Sequence, residues 1–109
     1  VWVPGFMRQL DSGFEAFARH EERLQQLSLK PSEYITRQVR VTPYPTEPTD
    51  WVIDQAGSDI FMFSSDYPHV EGGRNPMGRF EKATANLNKI DQDKFYRRNF
   101  EQLMGSAFK

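Results

Sequence analysis

The residues best suited to chemistry lie at positions 64–69, the run SSDYPH, which directly follows the apolar stretch IFMF at positions 60–63. Within this run Asp66 carries a carboxylate at the end of a segment that we expect to be buried. Because burial raises the free energy of a lone anion, such a carboxylate needs a partner. A divalent metal, backbone N–H groups or an arginine could each be that partner. Oxygen ligands suit zinc, manganese and magnesium, and a carboxylate beside a metal-bound water can accept or return a proton.

Asp66 also has a purely structural interpretation, because aspartates at turns often cap backbone N–H groups. His69 has two interpretations as well, a ligand or proton shuttle on one side and an ordinary loop histidine on the other. The other histidine, His20, lies among charged residues of the first predicted helix, which indicates a solvated position. No two histidines have a ligand spacing, so a complete metal site cannot be assembled from this chain alone.

Charge and composition exclude several function classes. The chain has 14 basic and 15 acidic residues and a net charge of −1, which gives no electrostatic reason to expect nucleic acid or an anionic membrane as partner. It contains no cysteine, which excludes disulfides and thiolate metal sites and is compatible with a cytoplasmic protein. Neither a nucleophile-elbow serine nor a phosphate-loop lysine pattern is present. The basic and aromatic cluster at residues 94–98 is best explained as a solvated helix face.

Two segments have the composition of strands. Residues 38–42, QVRVT, are rich in β-forming residues and are followed by prolines that end the segment. Residues 60–65 are apolar without alternation, which is typical of a strand buried on both faces of a parallel sheet. In α/β folds, ligands bind beyond the carboxyl ends of the strands, which is where Asp66 would lie.

Apolar spacing and cap residues predict four helices. The first spans residues 4–27, and its apolar face consists of Phe6, Leu10, Phe14, Phe17, Leu24 and Leu27. The second contains Trp51, Val52 and Ala56 on its core-facing side and stops at Gly57.

The last two predicted helices are defined by their caps. Asn75 and Pro76 begin a helix over residues 77–87, and Asp91 caps another over residues 92–104 that Gly105 ends. Helices that alternate with strands indicate an α/β fold, here with about two parallel strands and four helices. Two strands alone leave both sheet edges unpaired, which indicates a part of a larger protein.

The run FMFSSDYPH at residues 61–69 resembles the last-strand motif of the amidohydrolase-related family. That family contains metal-dependent hydrolases and decarboxylases, such as relatives of aminocarboxymuconate-semialdehyde decarboxylase. Residues 2–11 resemble the helix after the family's sixth strand, and residues 30–34 resemble the segment before its seventh. Residues 95–105 resemble its closing helix, where an asparagine commonly stands. The resemblance covers nearly the whole chain in the right order.

This resemblance implies that residues 1–109 are the C-terminal segment of a (β/α)₈ TIM barrel, and therefore an incomplete domain. It also implies that Asp66 is the aspartate at the end of the eighth strand, which binds the metal and manages a proton on the attacking water. The cofactor would be a divalent metal, zinc or manganese. Most of its ligands would lie outside this chain, because the family's metal-binding histidines are missing here.

Two functions follow as expectations. The first is a metal-dependent hydrolase or non-oxidative decarboxylase that acts on a small carboxylic acid or amide-like substrate, with this chain as its C-terminal part. The second is a catalytically inert fragment, or an interaction module, that lacks the metal-binding histidines. In both cases we expect neither nucleic acid nor a membrane as partner, and a homo-oligomer is compatible with the sequence.

Overall fold

The computed structural model describes residues 1–108, and that part of the chain is helical without a β-sheet. The α/β prediction of a TIM-barrel segment with two parallel strands is therefore wrong. The α-helices are α1 (Trp2–Phe17), α2 (Glu22–Gln25), α3 (Pro31–Gln38), α4 (Thr49–Ala56), α5 (Pro76–Thr84), α6 (Lys89–Asp93) and α7 (Asn99–Met104). A π-helical turn, Lys94–Arg98, joins α6 to α7, and two 3₁₀ turns lie at Val70–Gly72 and Gly105–Phe108.

The two predicted strands lie side by side and parallel, but they share a single bridge between Val41 and Phe61. Its hydrogen bonds run from Val41 N to Ile60 O and from Met62 N to Val41 O, each 2.9 Å long. The prediction was wrong because apolar residues specify burial and not the kind of element that covers them. Prolines follow Thr42, so the first segment cannot extend its pairing.

The first half of the chain contains two errors in the predicted helices. Helix α1 ends at Phe17, ten residues before the predicted end at Leu27, and a turn leads into the short α2. Helix α3 is absent from the four predicted helices, and Pro31 is its first residue. The fixed φ of proline suits a first helical turn, and Glu33 accepts a hydrogen bond from Lys30 N at 2.7 Å.

The cap predictions for three helix ends are confirmed. Asn75 is the N-cap of α5 and accepts a hydrogen bond from Gly78 N at 3.1 Å, with Pro76 as the first helical residue. Gly57 ends α4 with φ of 95°, and Gly105 ends α7 with φ of 52°, a conformation that glycine adopts at little cost. The predicted cap Asp91 is wrong, because Asn88 caps α6 by accepting from Asp91 N at 2.8 Å.

Helices α6 and α7 and the π-helical turn between them form one continuous helix, which we call the closing helix, residues 89–104. In the π-helical turn the N–H of Asn99 donates to Lys94 O rather than to Phe95 O. The carbonyl of Phe95 is therefore released from the helix and accepts a hydrogen bond from Phe63 N at 2.9 Å. The closing helix thus takes the place that a second neighbouring strand would have occupied.

The core lies where residues 60–65, which we call the extended segment, pass between α4, α5 and the closing helix. Phe80 has no exposed surface, and its ring lies 5.6 Å from that of Phe63 and 5.3 Å from that of Phe95. The other buried apolar residues of this cluster are Val3, Val52, Ile53, Ala56, Ile60 and Phe61. The apolar run therefore sits at the centre of the core, as its composition indicated.

Replacing Phe80 with leucine is expected to lower the free energy of unfolding by about 1–2 kcal/mol, because the smaller side chain loses ring contacts and leaves space behind. Chemical denaturation followed by circular dichroism measures this change. Phe17→Leu is the control, since Phe17 is 65% exposed and its replacement should change the free energy by less than about 0.5 kcal/mol. Equal effects of the two substitutions would contradict the assignment of the core.

The apolar face predicted for the first helix is only partly covered. Phe6, Phe17 and Leu27 are exposed, whereas Leu10, Phe14 and Leu24 are half-buried. The buried residues of α1 are Val3 and Pro4, and Trp2 is exposed. The Cα radius of gyration is 16.0 Å, whereas a compact domain of this length has one of about 13 Å. The fold therefore leaves apolar helix surface open. Among residues 1–108 no helix combines the length and the apolar character needed to cross a membrane.

Candidate functional site

Asp66 lies at the end of the extended segment, where the chain turns sharply. Its φ is 54°, a left-handed conformation that is uncommon outside glycine and that aspartate tolerates better than most residues. The turn is closed by a hydrogen bond from His69 N to Asp66 O at 2.7 Å. Ser64 Oγ accepts from Asp66 N at 3.2 Å. The backbone strain is thus localised at the residue that the sequence singles out.

The carboxylate of Asp66 pairs with the imidazole of His69, with 3.2 Å between Oδ1 and Nδ1. Within residues 1–108 this is the hydrogen bond that the carboxylate makes, and no backbone N–H donates to it. An acceptor at Nδ1 favours the tautomer with the proton on Nδ1, which leaves the lone pair of Nε2 free. His69 is 71% exposed at its side chain, so Nε2 is accessible to a ligand or to water.

This pair lies at a cavity of about 630 Å³, a size typical of small-molecule sites. The acidic residues that line the cavity are Glu47, Asp66 and Glu71. Trp2, Tyr44 and the almost completely buried Phe61 contribute aromatic side chains, and the lining also contains the following residues: Val1, Val3, Val41, Thr42, Pro43 and Val52. Sequence reasoning missed Glu47 and Glu71, because neither lies in a recognisable motif. Glu47 lies in the turn before α4, and Glu71 lies in the 3₁₀ turn Val70–Gly72.

Asn99 holds the segment that carries Asp66. Its side chain is 2% exposed, and Nδ2 donates to Ser58 O at 2.7 Å and to Phe61 O at 2.8 Å. Together with the bond from Phe63 N to Phe95 O, these contacts satisfy one edge of the segment, while Val41 satisfies the other. The signal for this role was an asparagine inside an apolar helix pattern, where its side chain competes with helical backbone bonds.

Gly72 lets the chain pass directly beneath the Asp66 turn. A Cβ atom at this position would lie 2.2 Å from the backbone oxygen of Ser65 and 3.3 Å from Cβ of Asp66. Such a contact is shorter than any real Cβ contact, so only glycine fits without a shift of the backbone. The 3₁₀ turn Val70–Gly72 therefore packs against Ser65 and Asp66. The same turn places Glu71 at the cavity.

The site offers one suitable ligand for a metal ion but not a complete set of ligands. Asp66 Oδ2 accepts no hydrogen bond within residues 1–108 and is chemically suited to be one oxygen ligand. In the same part of the chain no three His, Asp or Glu side chains converge closely enough to hold a metal ion. A stable site needs more ligands than Asp66 alone, so the described residues do not form a metal centre by themselves.

The basic cluster at residues 94–98 consists of ion pairs with neighbouring acids. Lys94 pairs with Asp59 at 2.8 Å, Arg97 with Glu101 at 2.6 Å, and Arg98 with Asp93 at 2.6 Å. The hydrogen bond from Arg98 lowers the pKa of Asp93. Each of these three basic side chains is therefore paired with an acid close to it. None of them lines the Asp66 cavity.

Comparisons of the chain with protein-family models, with curated proteins and with solved structures find no match.

Proposed function

We propose that Asp66 and His69 are the acid–base pair of a metal-dependent hydrolase or non-oxidative decarboxylase that acts on a small organic substrate in the cytoplasm. The single observation that carries this proposal is the 3.2 Å pair between Asp66 Oδ1 and His69 Nδ1 at a cavity of about 630 Å³. The metal would be zinc or manganese, with Asp66 as one ligand and the others outside residues 1–108. When bound, such a metal supplies Lewis acidity.

The chemistry of the pair follows from its geometry. Asp66 accepts from Nδ1–H of His69 and thereby orients the ring and stabilises the imidazolium that forms when Nε2 takes a proton. In a hydrolysis that proton comes from the attacking water and later goes to the leaving group. In a decarboxylation the same pair delivers a proton to the carbon that loses CO₂. Both reactions use one proton-transfer group at the same place.

Nitrogen NMR of the histidine side chains tests whether the pair exists in solution, because the chemical shifts of Nδ1 and Nε2 distinguish the two tautomers. We expect His69 to carry its proton on Nδ1 in the unaltered chain. In Asp66→Gly it should change to the Nε2–H tautomer that predominates in a histidine side chain exposed to water. Glycine is the right replacement because it adopts the φ of 54° found here and removes the carboxylate.

His20 is the internal control for this measurement, since it is exposed and lies outside the Asp66 cavity. Its signals should be the same in both proteins. If His69 and His20 show the same tautomer in the unaltered chain, the acid–base pair does not form and the proposal is wrong.

A second function, an inert or interaction module, is favoured by a different observation. Residues 1–108 bring together no set of three metal-binding side chains, and Trp2, Phe6 and Phe17 of α1 are exposed. Metal analysis of the purified chain separates the two functions. Stoichiometric, tightly held zinc or manganese would exclude the inert module, whereas metal binding that appears only with additional protein supports the proposed enzyme.

A further inference from the structure

We propose that a second cleft, separate from the Asp66 cavity, binds a small neutral ligand through a primary carboxamide group. The cleft has a volume of about 630 Å³ and lies between Asp59 and the second half of the closing helix. Asp59 directly precedes the extended segment, whereas Asp66 directly follows it. Among residues 1–108 the two cavities share no lining residue, so this inference goes beyond the proposed function.

Asn99 carries a hydrogen-bond acceptor that has no partner. Both hydrogens of its Nδ2 are donated to backbone carbonyls, to Ser58 O at 2.7 Å and to Phe61 O at 2.8 Å. Because both partners can only accept, the orientation of the amide is fixed and its other atom is Oδ1. Within residues 1–108 no group donates to Oδ1, although the residue is 98% buried, with 2% of its surface exposed.

This acceptor opens into the cleft. In the described part of the chain, Nε of Arg40 is the one fully buried side-chain nitrogen or oxygen atom that lacks a hydrogen-bond partner. Oδ1 of Asn99 also lacks a partner, so it is not fully buried and solvent reaches it. Asn99 is a lining residue of the cleft, which is where its small exposed surface lies. An acceptor in such a position needs a donor from a ligand or from water.

Gln102 supplies a donor next to this acceptor. Its Oε1 accepts from Arg40 at 2.7 Å, and because a guanidinium only donates, the orientation of this amide is fixed as well. Its Nε2 donates to no group within residues 1–108. Asn99 and Gln102 are three positions apart in the sequence and both belong to α7, which places their side chains side by side on one helix face. Both residues line the cleft.

A primary carboxamide is complementary to this pair of groups. One edge of a carboxamide presents an N–H donor beside a carbonyl acceptor. The N–H can therefore donate to Oδ1 of Asn99 while the carbonyl accepts from Nε2 of Gln102. The cleft volume accommodates a ligand of ordinary small-molecule size around this group.

The charged side chains of the cleft give no preference for an ion. Two acids and two bases line it, so that their formal charges cancel. Lys94 pairs with Asp59 at 2.8 Å, and Arg98 pairs with Asp93 at 2.6 Å. Glu101 pairs with Arg97 at 2.6 Å. Because each charge already has a partner of opposite sign, a neutral ligand is favoured.

Two ligands of nearly equal shape test this inference on the chain itself: benzamide, and acetophenone, in which a methyl group replaces the NH₂ group. NMR titration is expected to show roughly three- to ten-fold tighter binding of benzamide, because acetophenone cannot donate to Asn99. The side-chain NH₂ signals of Asn99 and Gln102 should shift as benzamide is added. Benzoate, which has no donor and carries a charge, should bind no more tightly than acetophenone.

Substitution of Gln102 tests the donor of the pair without changing Asn99, whose replacement would also disturb the fold. Gln102→Ala should weaken binding of both benzamide and acetophenone by roughly two- to five-fold, because each uses its carbonyl to accept from Nε2. The matched control is Gln55→Ala, at an exposed glutamine of α4 whose Oε1 accepts from Arg8 at 3.4 Å. Gln55 does not line the cleft, so its replacement should change neither affinity.

Equal binding of benzamide and acetophenone would overturn the inference, and so would NH₂ signals of Asn99 and Gln102 that do not respond to benzamide. In either case water satisfies the acceptor of Asn99. Equal effects of Gln102→Ala and Gln55→Ala would also contradict it. None of these measurements involves turnover or metal, so their failure leaves the proposed role of Asp66 and His69 unaffected.

Discussion

Replacing Asp66 with asparagine is expected to lower turnover of the proposed metal-dependent enzyme by roughly 10²–10⁴-fold, while the fold persists. The substitution removes the charge that stabilises the imidazolium of His69. It also offers the metal a neutral amide oxygen in place of a carboxylate. Asparagine has nearly the same volume and tolerates the left-handed backbone found at this residue, where φ is 54°. Steady-state kinetics measure the loss, and thermal unfolding measures the fold.

The choice of replacement decides how clearly this result can be interpreted. Alanine at residue 66 would add about 1–2 kcal/mol of backbone strain, because an ordinary side chain disfavours positive φ. A matched control is Asp59→Asn, which removes the carboxylate that pairs with Lys94 at 2.8 Å and lies outside the cavity. That variant should retain turnover close to that of the unaltered protein. Wild-type-like activity in Asp66→Asn would refute the proposed role.

Replacing Asn99 with aspartate is expected to lower the free energy of unfolding by roughly 3–5 kcal/mol, which for a domain of this size is a large part of the total. Nδ2 of Asn99 donates to two backbone carbonyls at 2.7 and 2.8 Å from a position that is 2% exposed. A carboxylate there would face two oxygens and find no donor. Asn99→Ala, which leaves the two carbonyls without a partner, should cost about 2–4 kcal/mol.

Gln102, one turn further along the closing helix, is the control for these substitutions. It is exposed, and its Oε1 accepts from Arg40 at 2.7 Å. Gln102→Ala should cost less than about 1 kcal/mol in chemical denaturation, because its hydrogen bond is open to water. If Asn99→Ala were no more destabilising than Gln102→Ala, the closing helix would not hold the segment that carries Asp66.

The parts of the fold that were predictable are those set by local chemistry. Asn75 caps α5 and Gly57 ends α4 because cap geometry depends on a few neighbouring residues. Helix α3 was missed because its first residue is Pro31, and proline both ends helices and begins them. The end of α1 was misplaced for a related reason, because apolar spacing continues beyond Phe17 into α2.

The error in fold class has a different origin. The apolar run at residues 60–63 predicted burial correctly, but burial does not specify whether strands or helices provide the cover. Here the backbone of this segment is hydrogen-bonded by the side chain of Asn99 and by the carbonyl of Phe95, which lie more than 30 positions away in the sequence. For the site, the sequence singled out Asp66 and left the role of His69 open, although the two residues are three positions apart and pair across one turn. Glu47 could not be predicted, since it reaches the cavity from a distant turn before α4, and Glu71 lies in the 3₁₀ turn Val70–Gly72, which no motif marks.

The π-helical turn at Lys94–Arg98 has a consequence for how this helix tolerates insertions and deletions. A π-helical turn is equivalent to an α-helix with one extra residue. Deleting a single residue there would restore ordinary α-helical pairing, and every later residue would rotate by about 100° around the helix axis. Asn99 would then no longer point at Ser58 and Phe61, and the carbonyl of Phe95 would return to its own helix. The extra residue therefore determines which side chains of α7 face the extended segment that leads to Asp66.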